Sequence, residues 1–292
     1  MIAIAGPDIP RELLVATSRY AGPLEFDLER PTPRASEWLE SKFAPWARPL
    51  LETWAEGGYD HLEKVVFSRA DDSSQRLYYY VCELQRRGLI GGPQPLILDI
   101  AKIARPTSLD RTIAKLRELA YLLSVSDDAV ESAIAAANEE RAVADEAPAG
   151  ARALITGSPS LNSRIADAVS NCGFVPLETT LHDQWTDLGD SVEQGTGDSV
   201  AALGHWIYRR QSGPRGFADP AEVLAARVAE AAPKAVILWR IEEDEAQCWH
   251  LPAERAVLEG SAIASLVLTR RDALARDGAP TEIAEFLKGV AI

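Results

Sequence analysis

The feature that most constrains this chain is an alternation. Short apolar runs recur between longer stretches with helical spacing. The runs are LEFDL (24–28), KVVFS (64–68), PLILDI (95–100), RALIT (152–156), VPLET (175–179), KAVILW (234–239) and SLVLT (265–269). Helices are predicted near 9–19, 35–56, 72–88, 108–123, 127–144, 161–172, 219–231, 252–260 and 280–289. Strand-length runs separated by helix-length amphipathic segments predict parallel sheet wrapped by helices. Ser126 stands before DDAVESAIAAANEERAV, with acids in the first turn and strong helix formers behind them, which marks a helix start.

With 292 residues the chain is long enough for two cores. The polar stretch ADEAPAGAR (144–152) separates a long helix from a fresh strand and predicts a boundary there, giving domains 1–149 and 150–292. The 44 acidic residues outnumber 30 basic ones, for a net charge of −14, which argues against general nucleic-acid binding. No apolar run of about 18 residues occurs, so no membrane span is expected. The opening MIAIAGPDIPRELL has no basic region ahead of an apolar one and does not read as a signal peptide. Cys82, Cys172 and Cys248 are odd in number and widely spaced, so a disulfide scaffold is not expected and a cytoplasmic setting is. Together with the four histidines they form no local metal-binding motif.

Three segments have the composition for chemistry. SRADDSSQRL (68–77) leads from a strand into a helix; Asp72 or Ser73 serves as the cap, or Asp71, Asp72 and Ser73 face a ligand at the strand edge. ALITGSPSLNSRIADAV (153–169) places Gly157 and Ser158 in a second strand–turn–helix transition, without the spacing of a dinucleotide or P-loop fingerprint. In WRIEEDEAQCWH (239–250), Glu242, Glu243, Asp244 and Glu245 follow a very apolar strand. The Gly/Ser/acid loop 187–199 and the basic loop 209–220 complete the set.

In order, these segments resemble the 2-hydroxyacyl-CoA dehydratase and benzoyl-CoA reductase subunit family over most of the chain. DIPRELLVAT is similar to the family's entry segment, and VVFSRADDSSQRLYYYV to its strand that runs into Cys-Asp-Ser and Arg-Leu. PLILDIAKIARPTSLDRTIAKLRELAYLL with the following ANEERA, which holds Asn138 and Arg141, resembles the next stretch. RALITGSPS resembles the opening of the second half, and KAVILWRIEEDE with LPAERAVLEGSAIASLVLTRRD the closing segment. Pattern and resemblance together imply an α/β fold of two Rossmann/flavodoxin-like domains, each a mainly parallel sheet flanked by helices, with a cleft between them.

The departures are as informative as the matches. Where the family's redox members hold a [4Fe–4S] cluster with cysteines, this chain has Asp71, then His182 and Asp183 in the middle region, then Glu242–Asp244. Carboxylates are hard ligands and poor substitutes for thiolates, so no cluster is expected in this chain. The resemblance implies a cluster-free subunit that shapes an acyl-CoA pocket beside a homologous [4Fe–4S]-bearing partner, with an ATP-dependent activator in the assembly. Any turnover would be a lyase activity of that complex. Glu12, Asp72 and Ser73 are the candidate catalytic residues, and Ser73, Arg76, Gly157 and Ser158 the candidate ligand contacts. Two alternatives stay open: a stand-alone non-redox acyl-CoA-binding or regulatory protein, and an enzyme with a divalent metal on Asp71, Asp72, Glu242 and Asp244. Arg69, Arg76, Arg209, Arg210 and Arg215 are available for a phosphate-bearing ligand.

Overall fold

The structure is a computed structural model that describes residues 1–101, 103–143, 149–210 and 217–291. In chain order the elements are β1 (Ile2–Ala5), α1 (Arg11–Val15), β2 (Tyr20–Pro23), α2 (Pro33–Trp38), α3 (Ala47–Ala55), β3 (Lys64–Ser68), α4 (Asp72–Arg86) and β4 (Gln94–Leu98). Then follow α5 (Ser108–Leu123), α6 (Asp127–Arg141), β5 (Arg152–Gly157), α7 (Arg164–Ser170), β6 (Val175–Leu177), α8 (Leu181–Thr186) and α9 (Ser199–Arg209). The chain ends with α10 (Pro220–Ala231), β7 (Ala235–Ile241), a 3-10 turn (Glu245–His250), α11 (Leu251–Gly260), β8 (Ala264–Arg271) and α12 (Ala279–Leu287).

The strands form two four-stranded, all-parallel sheets, ordered β2-β1-β3-β4 and β6-β5-β7-β8. Each repeats the 2-1-3-4 order of a flavodoxin-like α/β unit, as the alternation predicts. A single cut at 149/150 does not describe the division, however. The first compact unit takes Met1–Asp145 and Gln184–Phe217, and the second takes Glu146–Asp183 and Ala218–Ile292. The reason is apolar. Val200, Leu203, Trp206 and Ile207 of α9, with Val192 before it, belong to the same core as Ile2, Ile4, Leu116 and Ile134.

In the first unit, Ile2, Ile4, Val66, Leu96 and Leu98 present one sheet face to α1, α5, α6 and α9. On the opposite face Phe67 stacks on Trp54 of α3. In the second unit the alternation is equally clean. Ala153, Ile155, Ile237, Trp239 and Ile241 join α7 and α12, whereas Leu154, Val236 and Leu238 join Leu224 and Val228 of α10 and Leu258 of α11.

Some expectations need correction. The strand at 24–28 lies instead at Tyr20–Pro23, and β1 and α9 lie where neither was expected. The single helix at 35–56 is two, α2 and α3, because Pro45 and the turns around it interrupt the run. The boundary stretch 144–152 lies mostly outside the described residues. Among the described residues, no helix is long and apolar enough to cross a membrane.

Candidate functional site

In a 2-1-3-4 sheet the strand order reverses between the first and third strands, and ligands of open α/β sheets dock outside the carboxyl ends at that point. The sequence motifs fall there. SRADDSSQRL follows β3, beside the Gly6 turn after β1; Gly157 and Ser158 end β5, beside the acidic turn after β7.

In the first unit that position is closed by hydroxyl contacts. Ser74, fully buried, donates through Oγ to the Ala5 carbonyl of β1, and its Oγ accepts from the Ser68 backbone N–H of β3 at 3.0 Å. Gly6 has φ +118°, and a Cβ there would stand 2.7 Å from Ser74 Oγ and 2.8 Å from Ser68 Cβ, so only glycine fits the turn. Asp71, not Asp72 or Ser73, is the helix cap: its Oδ1 accepts from the Ser74 N–H at 2.7 Å. Ser73 Oγ accepts from the Ala44 N–H at 2.9 Å and holds the preceding loop, while Asp72 is exposed in the first turn of α4. Arg76 pairs with Glu40 at 2.8 Å and covers the Phe43 ring at 4.2 Å.

Glu12 is far from this turn in role. It is buried on α1 and accepts from Arg141 Nη2 of α6, while Arg141 also reaches the Leu188 carbonyl and Asn138 Oδ1. Asn138 exchanges two hydrogen bonds with the Val192 backbone, at 2.8 and 3.0 Å. The resemblance residues Asn138 and Arg141 therefore fasten the 188–192 loop to the first unit. Arg69 pairs with Asp99, which also takes Arg111. Arg210 pairs with buried Asp8 at 3.2 Å and Asp187 at 2.7 Å, Arg209 is exposed, and Arg215 lies outside the described residues.

The second unit closes its own reversal point in a similar manner. Ser158 donates its N–H to the Trp239 carbonyl of β7 at 2.8 Å. Its Oγ donates to Asp244 Oδ2 and accepts from the Ile241 N–H at 3.1 Å. Burial raises the Asp244 carboxyl above its ordinary pKa, opposed by the Ser158 hydrogen bond and the charge of Arg240. Glu242 pairs on the surface with Arg270, at 3.0 Å. His182 is exposed in the first turn of α8, where Thr180 and Asp183 cap one another across hydrogen bonds of 2.9 and 3.1 Å.

Sequence reasoning missed one polar group here. Arg227 of α10 directs Nη1 to Thr156 Oγ1 and Nη2 to Thr179 Oγ1, each at 3.3 Å, at the ends of β5 and β6. On the same sheet face, buried Arg240 is neutralised by Glu254 of α11. The available signal was an arginine on the apolar face of α10, between Leu224 and Val228.

A [4Fe–4S] cluster does not fit these donors. Asp71 and Asp244 are oxygen ligands engaged in hydrogen bonds of the fold, and the nearby thiol, Cys248, approaches the Asp244 carbonyl at 4.0 Å. Among the described residues no group of three or more His, Cys, Asp or Glu side chains is arranged to hold a metal ion. No family model matches the chain, and no curated protein sequence matches it.

Proposed function

We propose that this chain is a cluster-free subunit of a 2-hydroxyacyl-CoA dehydratase-like complex, shaping the acyl-CoA pocket beside a homologous [4Fe–4S]-bearing partner. One observation carries it. The strand-end turns lie on two flavodoxin-like units in the order of the resemblance, and the carboxylates Asp71 and Asp244, where the resemblance would put thiolates, are engaged in hydrogen bonds of the fold. A scaffold with hydrogen-bonded carboxylates in place of redox ligands fits a non-redox subunit, with electron transfer from an ATP-dependent activator confined to the partner. Lyase chemistry belongs on this reading to the assembly.

The same observation also favours a second reading, a stand-alone acyl-CoA-binding or regulatory protein, because both turns are held by hydrogen bonds of the fold. Anaerobic purification from the native host, with iron and co-purifying chains measured together, tests the first. A partner that carries all the iron is expected. A chain that purifies alone, and binds acyl-CoA by calorimetry, would give the second reading instead. Iron at cluster stoichiometry in this chain alone refutes both.

A further inference from the structure

We propose that Arg227, with the hydroxyls of Thr156 and Thr179, forms a binding site in the second unit for the terminal oxyanion, phosphate or carboxylate, of a small-molecule ligand. The inference does not depend on the complex proposed above.

Charge balance is the first reason. A second arginine on this sheet face, the buried Arg240, has its counter-charge in Glu254. Arg227 forms no salt bridge among the described residues: its hydrogen bonds go to two neutral hydroxyls. A guanidinium stays charged even when desolvation disfavours it, so the site holds a positive charge that no directly bonded carboxylate neutralises. Burial does lower the Arg227 pKa, offset in part by Glu230, an exposed residue on the same helix. The carboxylate nearest in sequence to Thr179 is Glu178, and it is turned to Ser160, whose Oγ donates to it at 2.6 Å.

Geometry is the second reason. Thr156 is the penultimate residue of β5 and Thr179 follows β6, so both hydroxyls stand at the carboxyl ends of adjacent parallel strands, beside the reversal point between β5 and β7 rather than at it. A guanidinium carries five N–H donors in a planar fork, and Arg227 directs only two of them at these hydroxyls. The hydroxyls accept from the arginine and keep their own protons to donate. An oxyanion meets donors from both, in the bidentate geometry that favours phosphate and carboxylate.

The test uses the full chain and two probes, inorganic phosphate and acetate, at constant ionic strength set with chloride. Saturable binding of one probe by calorimetry is expected, with a matching dose-dependent rise in melting temperature. Phosphate alone assigns a phosphoryl ligand; acetate alone assigns a carboxylate. Arg227→Met should weaken that binding by at least tenfold while leaving the ligand-free melting temperature equal or higher, because it removes a poorly solvated charge. Thr179→Val should weaken it several-fold, and it gives the readout should Arg227→Met fail to fold. Saturable binding of neither probe, or the same response in the variants as in the wild type, overturns the proposal.

Discussion

Gly157→Ala isolates how closely β5 and β7 approach. Gly157 pairs with Trp239 in the register of the two central strands. Its φ is +111°, and an added Cβ would lie 2.0 Å from the Trp239 carbonyl oxygen and 2.9 Å from its carbon. Backbone strain at such a φ costs about 1–3 kcal/mol for a residue with a side chain. The overlap is with main chain of a central strand, so relief requires β5 to shift, at about 1–3 kcal/mol for overpacking. The shift also strains the Ser158 N–H to Trp239 contact, worth about 1 kcal/mol. Together these predict a loss of about 3–7 kcal/mol, a drop of roughly 1.5–3.5 M in the urea midpoint at a slope of about 2 kcal/mol/M. The unfolding step of the second unit should carry the whole change. Gly278→Ala is the control in the same unit: φ is +89° there, but no atom lies within 4 Å of the added Cβ. Circular dichroism during urea denaturation should show Gly157→Ala losing at least about 2 kcal/mol more than Gly278→Ala. Equal losses would mean that φ alone matters and would refute the close-approach reasoning.

Other perturbations give equally definite outcomes. Ser74→Ala removes the hydroxyl that joins Ala5 to Ser68 and strands two buried backbone groups; a cost of about 2–4 kcal/mol is expected by denaturation, against about 1 kcal/mol for loss of the helix cap in Asp71→Ala. Arg141→Met leaves Glu12 buried without its partner and should cost about 3–5 kcal/mol, most of it recovered when Glu12→Leu is added; no recovery in that cycle would refute an electrostatic origin. Asp244 has a raised folded-state pKa, so between the unfolded and folded values the native state binds more protons and stability falls as pH rises. Asp244→Asn should therefore flatten that decline, with the variant at least as stable at pH 7 and convergent with the wild type below the unfolded pKa; a steeper decline in the variant would contradict the assignment.

The sheet class was legible because its central strands are apolar on both faces: KVVFS and RALIT lie within one residue of β3 and β5, and KAVILW covers most of β7. What escaped was short or small. β1 is IAIA, four residues whose alanines carry little hydrophobic signal, although all four are buried and Gly6 and Pro7 punctuate them. LEFDL at 24–28 has the composition of a strand, yet its pairing with β1 ends at the bond from the Leu24 N–H to the Ile4 carbonyl, and the paired strand is Tyr20–Pro23. The helix cap fell one residue earlier than expected, at Asp71, since Asp71 and Asp72 are equivalent in type and only φ and ψ separate them. Glu12 and Arg227 differ in what the sequence signalled. Glu12, singled out by its entry segment, forms half of a buried ion pair; Arg227, which no motif singles out, hydrogen-bonds hydroxyls at two strand ends and forms no salt bridge among the described residues. Burial and partner identity decide both, and neither is local in sequence.

The return of residues 184–217 to the first unit has a consequence for biosynthesis. A ribosome releases Met1–Asp145 first, but the core that includes Ile2 and Leu116 also needs Val200, Leu203 and Trp206. At roughly 5–20 residues per second, several seconds separate the two, and much of β5, α7 and β6 emerges in the interval. The nascent first unit must wait with an apolar face unfilled, so a chain stopped near residue 150 should aggregate, while one stopped beyond residue 217 already holds every residue of that core.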